Sequence, residues 1–129
     1  KGKLRKLLFS KEDLLLDGCH SEKAIINHIK FIKNINKPKY AIWSLMKNRE
    51  PEKYVKYLKN FKKIIAINVP DEPNSCSPRL LKKIANQNNI DCEVAKDISS
   101  AIKIISSDED KCVSIIGSLY TAGKALNLN

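Results

Sequence analysis

Glycine is scarce in this sequence, with 4 residues among 129, and no glycine-rich phosphate loop is present. Neither the G-x-x-x-x-G-K-S/T pattern nor the G-x-G-x-x-G pattern occurs, and these are the patterns that cradle nucleotide phosphates on backbone amides. A dehydrogenase-like or methyltransferase-like domain needs a glycine-rich first loop, but only Gly18 follows the first clear apolar run. The sequence therefore disfavours these two classes of domain.

Long apolar runs and metal-binding cysteine patterns are also missing. No stretch approaches the apolar length of a membrane span, about 18 residues, and residues 7–9 are too few for the core of a signal peptide. The four cysteines share no CxxC spacing and no zinc-like Cys/His cluster. We therefore expect a cytoplasmic protein with reduced thiols, no membrane partner and no metal site of its own. Because the first residue is lysine, we also expect a cut-out or processed piece.

Arginine is rare among the basic residues. The net charge is +10, yet only 3 of the 24 basic residues are arginines, so the remainder are lysines. Arginine is the residue preferred for two-pronged contacts with phosphates and bases, and the lysines are spread along the chain. The charge is compatible with a solvated, lysine-rich surface or with a field that attracts anions. Nucleic acid is not an expected partner.

Short apolar runs alternate with helical patterns along the chain. Runs of this length, bounded by turn residues, are typical of strands buried on both faces; they lie at 14–16, 40–43, 64–67, 92–94 and 112–116. The Leu-rich segment at 3–9 can add a strand antiparallel to the first run. The alternation predicts an α/β, Rossmann-like domain of three layers, with a mostly parallel sheet of about six strands, the first antiparallel, and helices on both faces.

Five helices are predicted from apolar periodicity and capping residues. The first spans 22–34 and buries a stripe of isoleucines, with His28 expected on its surface. The others begin at or just after Pro51, Ser77, Asp97 and Ser118. Trp43 is expected in the core, with its indole N–H bonded to a carbonyl oxygen. Arg79, in the first turn of its helix, can face a ligand or solvent.

Ligands of an open parallel sheet bind beyond the carboxyl ends of its strands. Asp17 follows one such end and can accept hydrogen bonds from a ribose diol, and His20 can bind a phosphate or a nucleobase. Alternatively, Asp17 and Ser21 only cap the helix. Gly117-Ser118 can hold an anion on backbone amides or form an ordinary turn. Four loops are expected to share this edge: 17–21, 44–50, 70–77 and 117–120.

Several motifs resemble those of a known family. Residues 14–20, Leu-Leu-Leu-Asp-Gly-Cys-His, resemble the Leu-Asp-Gly-Ala-His-Asn-Pro motif that opens the C-terminal domain of folylpolyglutamate synthases and dihydrofolate synthases, of the Mur ligase superfamily. Residues 117–123, Gly-Ser-Leu-Tyr-Thr-Ala-Gly, are similar to the family's Gly-Ser-Leu-Tyr-Leu-Ala/Val-Gly. Residues 2–5 and 77–79 stand where the family has Gly-Arg-Leu/Phe-Glu/Gln and Ser-Pro-Arg. The resemblance covers essentially the whole chain, 1–129.

The chain departs from the family pattern in three main places. Ser21 and Glu22 replace Asn-Pro, and Lys3 replaces an arginine, so that a point charge stands in for a two-pronged donor. Residues 44–50, Ser-Leu-Met-Lys-Asn-Arg-Glu, stand where the family often reads Gly-x-Met-x-Asp-Lys-Asp. The methionine is kept and both aspartates are lost.

The resemblance implies an activity that needs a second domain. Enzymes of this family use ATP to phosphorylate a carboxylate of a pteroate or folate, and the amine of glutamate then attacks the acyl phosphate. The phosphate loop and the Mg²⁺ ligands would lie in an N-terminal ATPase domain that is absent from this chain, so the chain alone is expected to be inactive. The implied partners are ATP, L-glutamate, dihydropteroate or folate, and that N-terminal domain.

The resemblance also implies roles for five residues. Asp17 and His20 would contact the nucleotide, and Lys3 stands where the family's arginine reaches the ATP phosphates. Ser118 and Tyr120 would lie toward the glutamate. None is implied to transfer a proton, since their work would be positioning and charge neutralisation. Two other classes remain open: a cell-wall Mur-type amino-acid ligase domain, and a non-catalytic basic α/β binding module.

Overall fold

Helices and strands alternate along the part of the chain that the computed structural model describes, residues 22–106, 111–117 and 121. The elements are α1 (Glu22–Lys33), β1 (Lys39–Trp43), a 3-10 helix (Pro51–Lys53), α2 (Val55–Leu58), β2 (Lys63–Ala66), α3 (Pro78–Gln87), β3 (Cys92–Val94), α4 (Ile98–Ile105) and β4 (Cys112–Ile116). This alternation confirms the predicted α/β class. Within the described residues, no helix is both long enough and apolar enough to cross a membrane.

The four strands form one parallel sheet in the order β3-β2-β1-β4. In the register of β1, Ala41 lies beside Ile64 of β2 on one side and beside Ser114 of β4 on the other. Four of the predicted strands are therefore present and parallel. The strands predicted at 3–9 and 14–16, one of them antiparallel, and the helix predicted after Ser118 lie outside the described residues.

Apolar side chains cover both faces of the sheet, because successive strand residues point to opposite faces. On one face, Ala41 and Trp43 of β1 pack in a layer with residues of α1, α2 and α3. On the other face, Tyr40 and Ile42 pack against α4. Helices on both faces confirm the three-layer arrangement that the alternation predicted.

The predicted helix starts agree with the structure in position but differ in capping. The carboxylate of Asp97 accepts a hydrogen bond from the backbone N–H of Ser100 at 2.8 Å. This bond is the main cause that holds the pKa of Asp97 below its ordinary value. Ser77 occupies the position before α3, but its hydroxyl makes no capping bond to the described backbone. The helix predicted from Pro51 begins with a 3-10 turn before α2 continues it.

The prediction that His28 lies at the surface is wrong. Its side chain is 1% exposed, because it stands three residues after Ile25 and four before Ile32, on the buried stripe of α1. Its Nε2 lies 2.8 Å from Oγ of Ser114 in β4. Burial lowers the pKa of His28 from 6.5 to about 4. The imidazole is therefore neutral at neutral pH and acts as a polar contact inside the core.

Trp43 lies in the core, as predicted, and is fully buried. Its ring centroid is 6.2 Å from that of Tyr54, and both rings belong to the apolar layer over α1, α2 and α3. The predicted carbonyl partner is wrong, since Nε1 has no hydrogen-bond acceptor among the residues described. The apolar surroundings, which include Leu58, explain why packing rather than hydrogen bonding holds this ring.

Candidate functional site at the carboxyl ends of the strands

The path of the chain through the sheet reverses between β1 and β4. From β1 the chain continues to β2 and then β3 on one side, and after α4 it returns to β4 on the other side of β1. In an open parallel sheet, ligands bind in the crevice that such a reversal leaves beyond the carboxyl ends of the two strands. The residues at this point are Ser44, directly after β1, and Gly117, directly after β4. They locate the candidate site.

The backbones of Ser44 and Gly117 are in direct contact. The N–H of Ser44 donates to the carbonyl oxygen of Ile116 at 3.1 Å. Gly117 has a φ of +103°, and a Cβ atom at this position would lie 2.0 Å from the carbonyl oxygen of Ser44. Both the conformation and the space therefore require glycine. The two strand ends meet more closely than any side chain at position 117 would allow.

A buried pair of hydroxyl groups joins the same two segments. Oγ of Ser44 and Oγ1 of Thr121 are 2.8 Å apart, and both residues are 0% exposed. Only two local features of the sequence point to this pair. Ser44 directly follows a buried strand, and Thr121 stands four residues after Gly117, where the family motif has leucine.

The loops after β1 and β2 are fastened to each other by their backbones. The N–H of Lys47 donates to the carbonyl oxygen of Asn74 at 2.8 Å, and the N–H of Cys76 donates to that of Leu45 at 2.7 Å. The prediction that these loops and the start of the fourth loop share one edge is confirmed. The loop at 17–21 lies outside the described residues.

An open pocket of about 590 Å³ lies beside the loop after β1. Cationic, acidic and aromatic side chains line it, among them Arg49, Glu52, Tyr54 and Tyr57, and Ile25 brings the first turn of α1 to its wall. Burial raises the pKa of Tyr54, and the nearby positive charge of Arg49 opposes that rise. A pocket of this size and mixture of groups can hold a small polar molecule.

The five residues predicted to bind ligands, Lys3, Asp17, His20, Ser118 and Tyr120, all lie outside the described part of the chain. Glu22, where α1 begins, follows His20 by two residues, and residues 118–120 stand between Gly117 and Thr121 in sequence. Arg79 is exposed in the first turn of α3. The site contributions of the five residues stay predictions.

Metal ligands and reactive thiols are not gathered in the part of the chain that is described. No three His, Cys, Asp or Glu side chains of residues 22–106, 111–117 and 121 come together in a way that could hold a metal ion. These residues therefore do not fit Mg²⁺, and we assign it no step here. Cys76 and Cys92 are buried free thiols. Burial raises the pKa of Cys92 to about 11, so this thiol is protonated and unreactive.

Known proteins resemble this chain in structure. No protein-family model and no curated protein matches the sequence. Folylpolyglutamate synthase of Mycobacterium tuberculosis, solved with ADP and AMPPCP, superposes on 87% of the chain with a TM-score of 0.74 and 16% identity. FolC of E. coli, solved with DHPP and ADP, superposes on 87% with a TM-score of 0.73 and 11% identity. The chain has the fold of one region of these synthases.

The same synthase-like fold occurs in a ligase with another substrate. UDP-N-acetylmuramate-alanine ligase, MurC, of Thermotoga maritima superposes on 87% of the chain with a TM-score of 0.60 and 15% identity. The chain spans only about a quarter of these structures: 28% of the mycobacterial synthase, 27% of FolC and 25% of MurC. The fold that the resemblance to the Mur ligase superfamily implied is therefore confirmed.

Proposed function

We propose that this chain is the C-terminal domain of an ATP-dependent ligase of the folylpolyglutamate synthase and dihydrofolate synthase type. Joined to an N-terminal ATPase domain, it adds glutamate to dihydropteroate or folate. The observation that supports this most is the contact of Ser44 with Gly117 at the chain reversal, in a fold shared with synthases that were solved with nucleotides. In open α/β domains, ligands bind beyond the carboxyl ends of the strands at such a reversal.

In this proposal the loops beyond the strands form half of a nucleotide cleft. Asp17 accepts hydrogen bonds from the ribose, His20 contacts the nucleotide, and Lys3 neutralises charge on the phosphates. Ser118 and Tyr120 bind the incoming glutamate. The N-terminal domain supplies the phosphate loop and the Mg²⁺ ligands, because the described part of this chain offers neither.

The chemistry of the proposed reaction needs positioning more than proton transfer from this domain. ATP gives its terminal phosphoryl group to the carboxylate of the pteroate or folate. The amine of glutamate then attacks the carbonyl carbon of the acyl phosphate and phosphate leaves, so that the products are an amide, ADP and phosphate. Closure of this domain over the nucleotide excludes water that would hydrolyse the acyl phosphate.

The test compares the full-length protein with the 129-residue chain. Full-length protein should release ADP only when both glutamate and dihydropteroate or folate are present, and the isolated chain should be inactive. Replacement of Asp17 or His20 by alanine should lower turnover by about 10-fold or more without unfolding the protein. Asp91→Ala is the control, because this exposed aspartate precedes β3 at the opposite edge of the sheet.

Two results would reject this proposal. One is wild-type turnover in both the Asp17→Ala and the His20→Ala proteins. The other is ATP binding by the isolated chain with a dissociation constant of about 1 μM or below, since half a cleft should not bind so tightly.

A cell-wall amino-acid ligase is the second candidate, because MurC shares the fold. The higher TM-score of the folylpolyglutamate synthase structures, 0.74 against 0.60, favours the first candidate. The same ADP-release assay separates the two. Activity with UDP-N-acetylmuramate and an amino acid, but not with folate and glutamate, would select the second.

A further inference from the structure

The open pocket beside the loop after β1 contains polar groups that no other described residue binds. The side chain of Tyr54 is only 6% exposed and lines the pocket, yet its hydroxyl makes no hydrogen bond within the described ranges. Arg49 and Glu52 also line the pocket, and neither forms an ion pair or a side-chain hydrogen bond with the part of the chain that is described. Glu50 and Lys53, by contrast, pair with each other at 3.4 Å. The pocket therefore keeps a hydroxyl, a guanidinium and a carboxylate available.

The chain holds two of these groups in fixed places. The N–H of Arg49 donates to the carbonyl oxygen of Met46 at 3.0 Å, and the N–H of Tyr54 donates to that of Pro51, also at 3.0 Å. The ring of Tyr54 packs near the fully buried Trp43, with 6.2 Å between the ring centroids. A ligand therefore meets a backbone turn and a ring that are already ordered, which lowers the entropic cost of binding.

The hydroxyl of Tyr54 is a hydrogen-bond donor at neutral pH. Burial raises the pKa of Tyr54, and the positive charge of Arg49 opposes the rise, so the phenol is protonated and the guanidinium lies near it. A nearly buried hydroxyl normally has a partner, and an oxyanion placed between the two groups would provide one. A guanidinium presents a planar fork of N–H groups that matches a carboxylate. The two side chains together can bind one carboxylate.

The acidic side chains of the pocket limit what else can bind. Glu50 and Glu52 bring two negative charges to the lining, and like charges oppose a ligand with several phosphate groups. The ion pair with Lys53 already engages Glu50, whereas Glu52 can accept hydrogen bonds from an ammonium group. A ligand with one carboxylate and one ammonium group therefore fits the charges of the pocket better than a nucleotide does.

We propose that this pocket binds a small zwitterion with the chemistry of an α-amino acid. Arg49 and Tyr54 bind its carboxylate, and Glu52 binds its ammonium group. The pocket volume of about 590 Å³ lies within the range of small-molecule sites and leaves room for a side chain. The inference uses none of the five residues to which the proposed function assigns ligands, and its test requires no ligase activity.

The test is an NMR titration of the ¹⁵N-labelled 129-residue chain with L-alanine and, separately, with L-glutamate. The chain has three arginines, and Arg49→Lys identifies the Nε–Hε signal of Arg49. At least one of the two amino acids should shift this signal, with a dissociation constant of about 1 mM. No shift with either amino acid would overturn the proposal, as would tighter binding of ADP than of both amino acids at this signal.

Each proposed contact has its own variant, followed at the backbone amides of residues 48–54. Arg49→Gln should weaken the binding of the amino acid about tenfold, because charge-assisted hydrogen bonds are lost. Tyr54→Phe removes only the hydroxyl and should weaken binding about fivefold, while the ring keeps its place beside Trp43. Glu52→Gln should weaken L-alanine about fivefold but leave propionate, which lacks the ammonium group, unchanged. An equal loss for both compounds in Glu52→Gln would refute the ammonium contact.

Lys47→Gln is the matched control. Lys47 is exposed in the same loop, two residues before Arg49, but it is not among the described residues that line the pocket. The variant removes one positive charge and should leave the affinity for the amino acid unchanged. An equal loss in Lys47→Gln would assign binding to the general charge of the loop and overturn the proposal, as would an unchanged affinity in Arg49→Gln. A full-length protein without ligase activity would reject the proposed function, and the titration would still decide the role of the pocket.

Discussion

The two edges of the sheet are built from different groups. At the carboxyl edge, β1 and β4 end in residues whose backbones touch, Ser44 and Gly117, and whose neighbours are fastened by hydroxyl and backbone hydrogen bonds. At the amino edge, three of the four described strands begin at or just after a lysine: Lys39 opens β1, Lys63 opens β2 and Lys111 precedes β4. The carboxyl edge joins neutral backbone and hydroxyl groups, and the amino edge carries these three lysines.

The lysines at the amino edge have structural partners. Nζ of Lys111, a residue only 3% exposed, donates to the carbonyl oxygen of Ile105 at the end of α4 at 2.7 Å and lies 5.4 Å from the ring centroid of Tyr40. Nζ of Lys39 donates to the carbonyl oxygen of Ile35, just after α1, at 2.8 Å. Carbonyl groups at helix ends carry partial negative charge, which an ammonium group stabilises.

This difference between the edges affects how the net positive charge of the chain is interpreted. Lysine ammonium groups that donate to carbonyl oxygens at helix ends stabilise the fold. A basic composition alone therefore does not require an anionic partner. The comparison predicts that changes at the carboxyl edge alter ligand binding, whereas changes at the amino edge alter stability only. The variants below test this difference between the two edges.

Gly117→Ala should have the largest effect. The new Cβ atom would lie 2.0 Å from the carbonyl oxygen of Ser44, and the φ of +103° is one that alanine rarely adopts. The strand ends must separate, and we expect a loss of about 3 kcal/mol in the free energy of unfolding, measured by urea denaturation.

Asn89→Gly is the control. This residue also has positive φ, +60°, and glycine fits there, so the change should stay within about 0.5 kcal/mol. A small loss in Gly117→Ala would mean that the strand ends are not in contact.

His28 should make stability depend on pH. Its folded pKa is lowered to about 4 from 6.5 by burial, so between these values the unfolded chain binds the proton that the folded chain excludes. Stability is complete above pH 6.5 and falls as the pH drops toward 4. Between pH 7 and pH 5 the loss should be about 2 kcal/mol, measured by urea denaturation at each pH. His28→Gln should remove most of this slope, and an unchanged slope in that variant would assign it to other groups.

Local sequence patterns predicted the bounds of several strands and the buried stripe of one helix. The strands at 92–94 and 112–116 lie at the predicted bounds, because each is an apolar run that ends at turn residues. The four buried residues of α4, spaced at one helical turn, were also predicted: Ile98, Ala101, Ile102 and Ile105. In these cases the periodicity of the sequence and the burial in the fold have the same physical cause.

The polar contacts inside the core could not be predicted in this way. His28 and Ser114 are 86 residues apart in sequence, and Ser44 and Thr121 are 77 apart. No local pattern reports that two such groups will meet, so His28 was assigned to the surface. The topology rule predicted that the loops share one edge. Which hydroxyl groups form a hydrogen bond there depends on how β1 packs against β4.

The smallest expected change in the free energy of unfolding comes from variants at the amino edge. Lys111→Met removes a buried ammonium group from the carbonyl oxygen of Ile105, and we expect a loss of about 1–2 kcal/mol in the free energy of unfolding. Lys62→Met is the matched control, because Lys62 is exposed and its Nζ lies 6.0 Å from the centroid of the same Tyr40 ring. Its loss should be below about 0.5 kcal/mol. In the full-length protein, neither variant should change the KM for glutamate or ATP. A raised KM in Lys111→Met would break the division between the two edges, because a group at the amino edge would then influence the crevice through the length of β4.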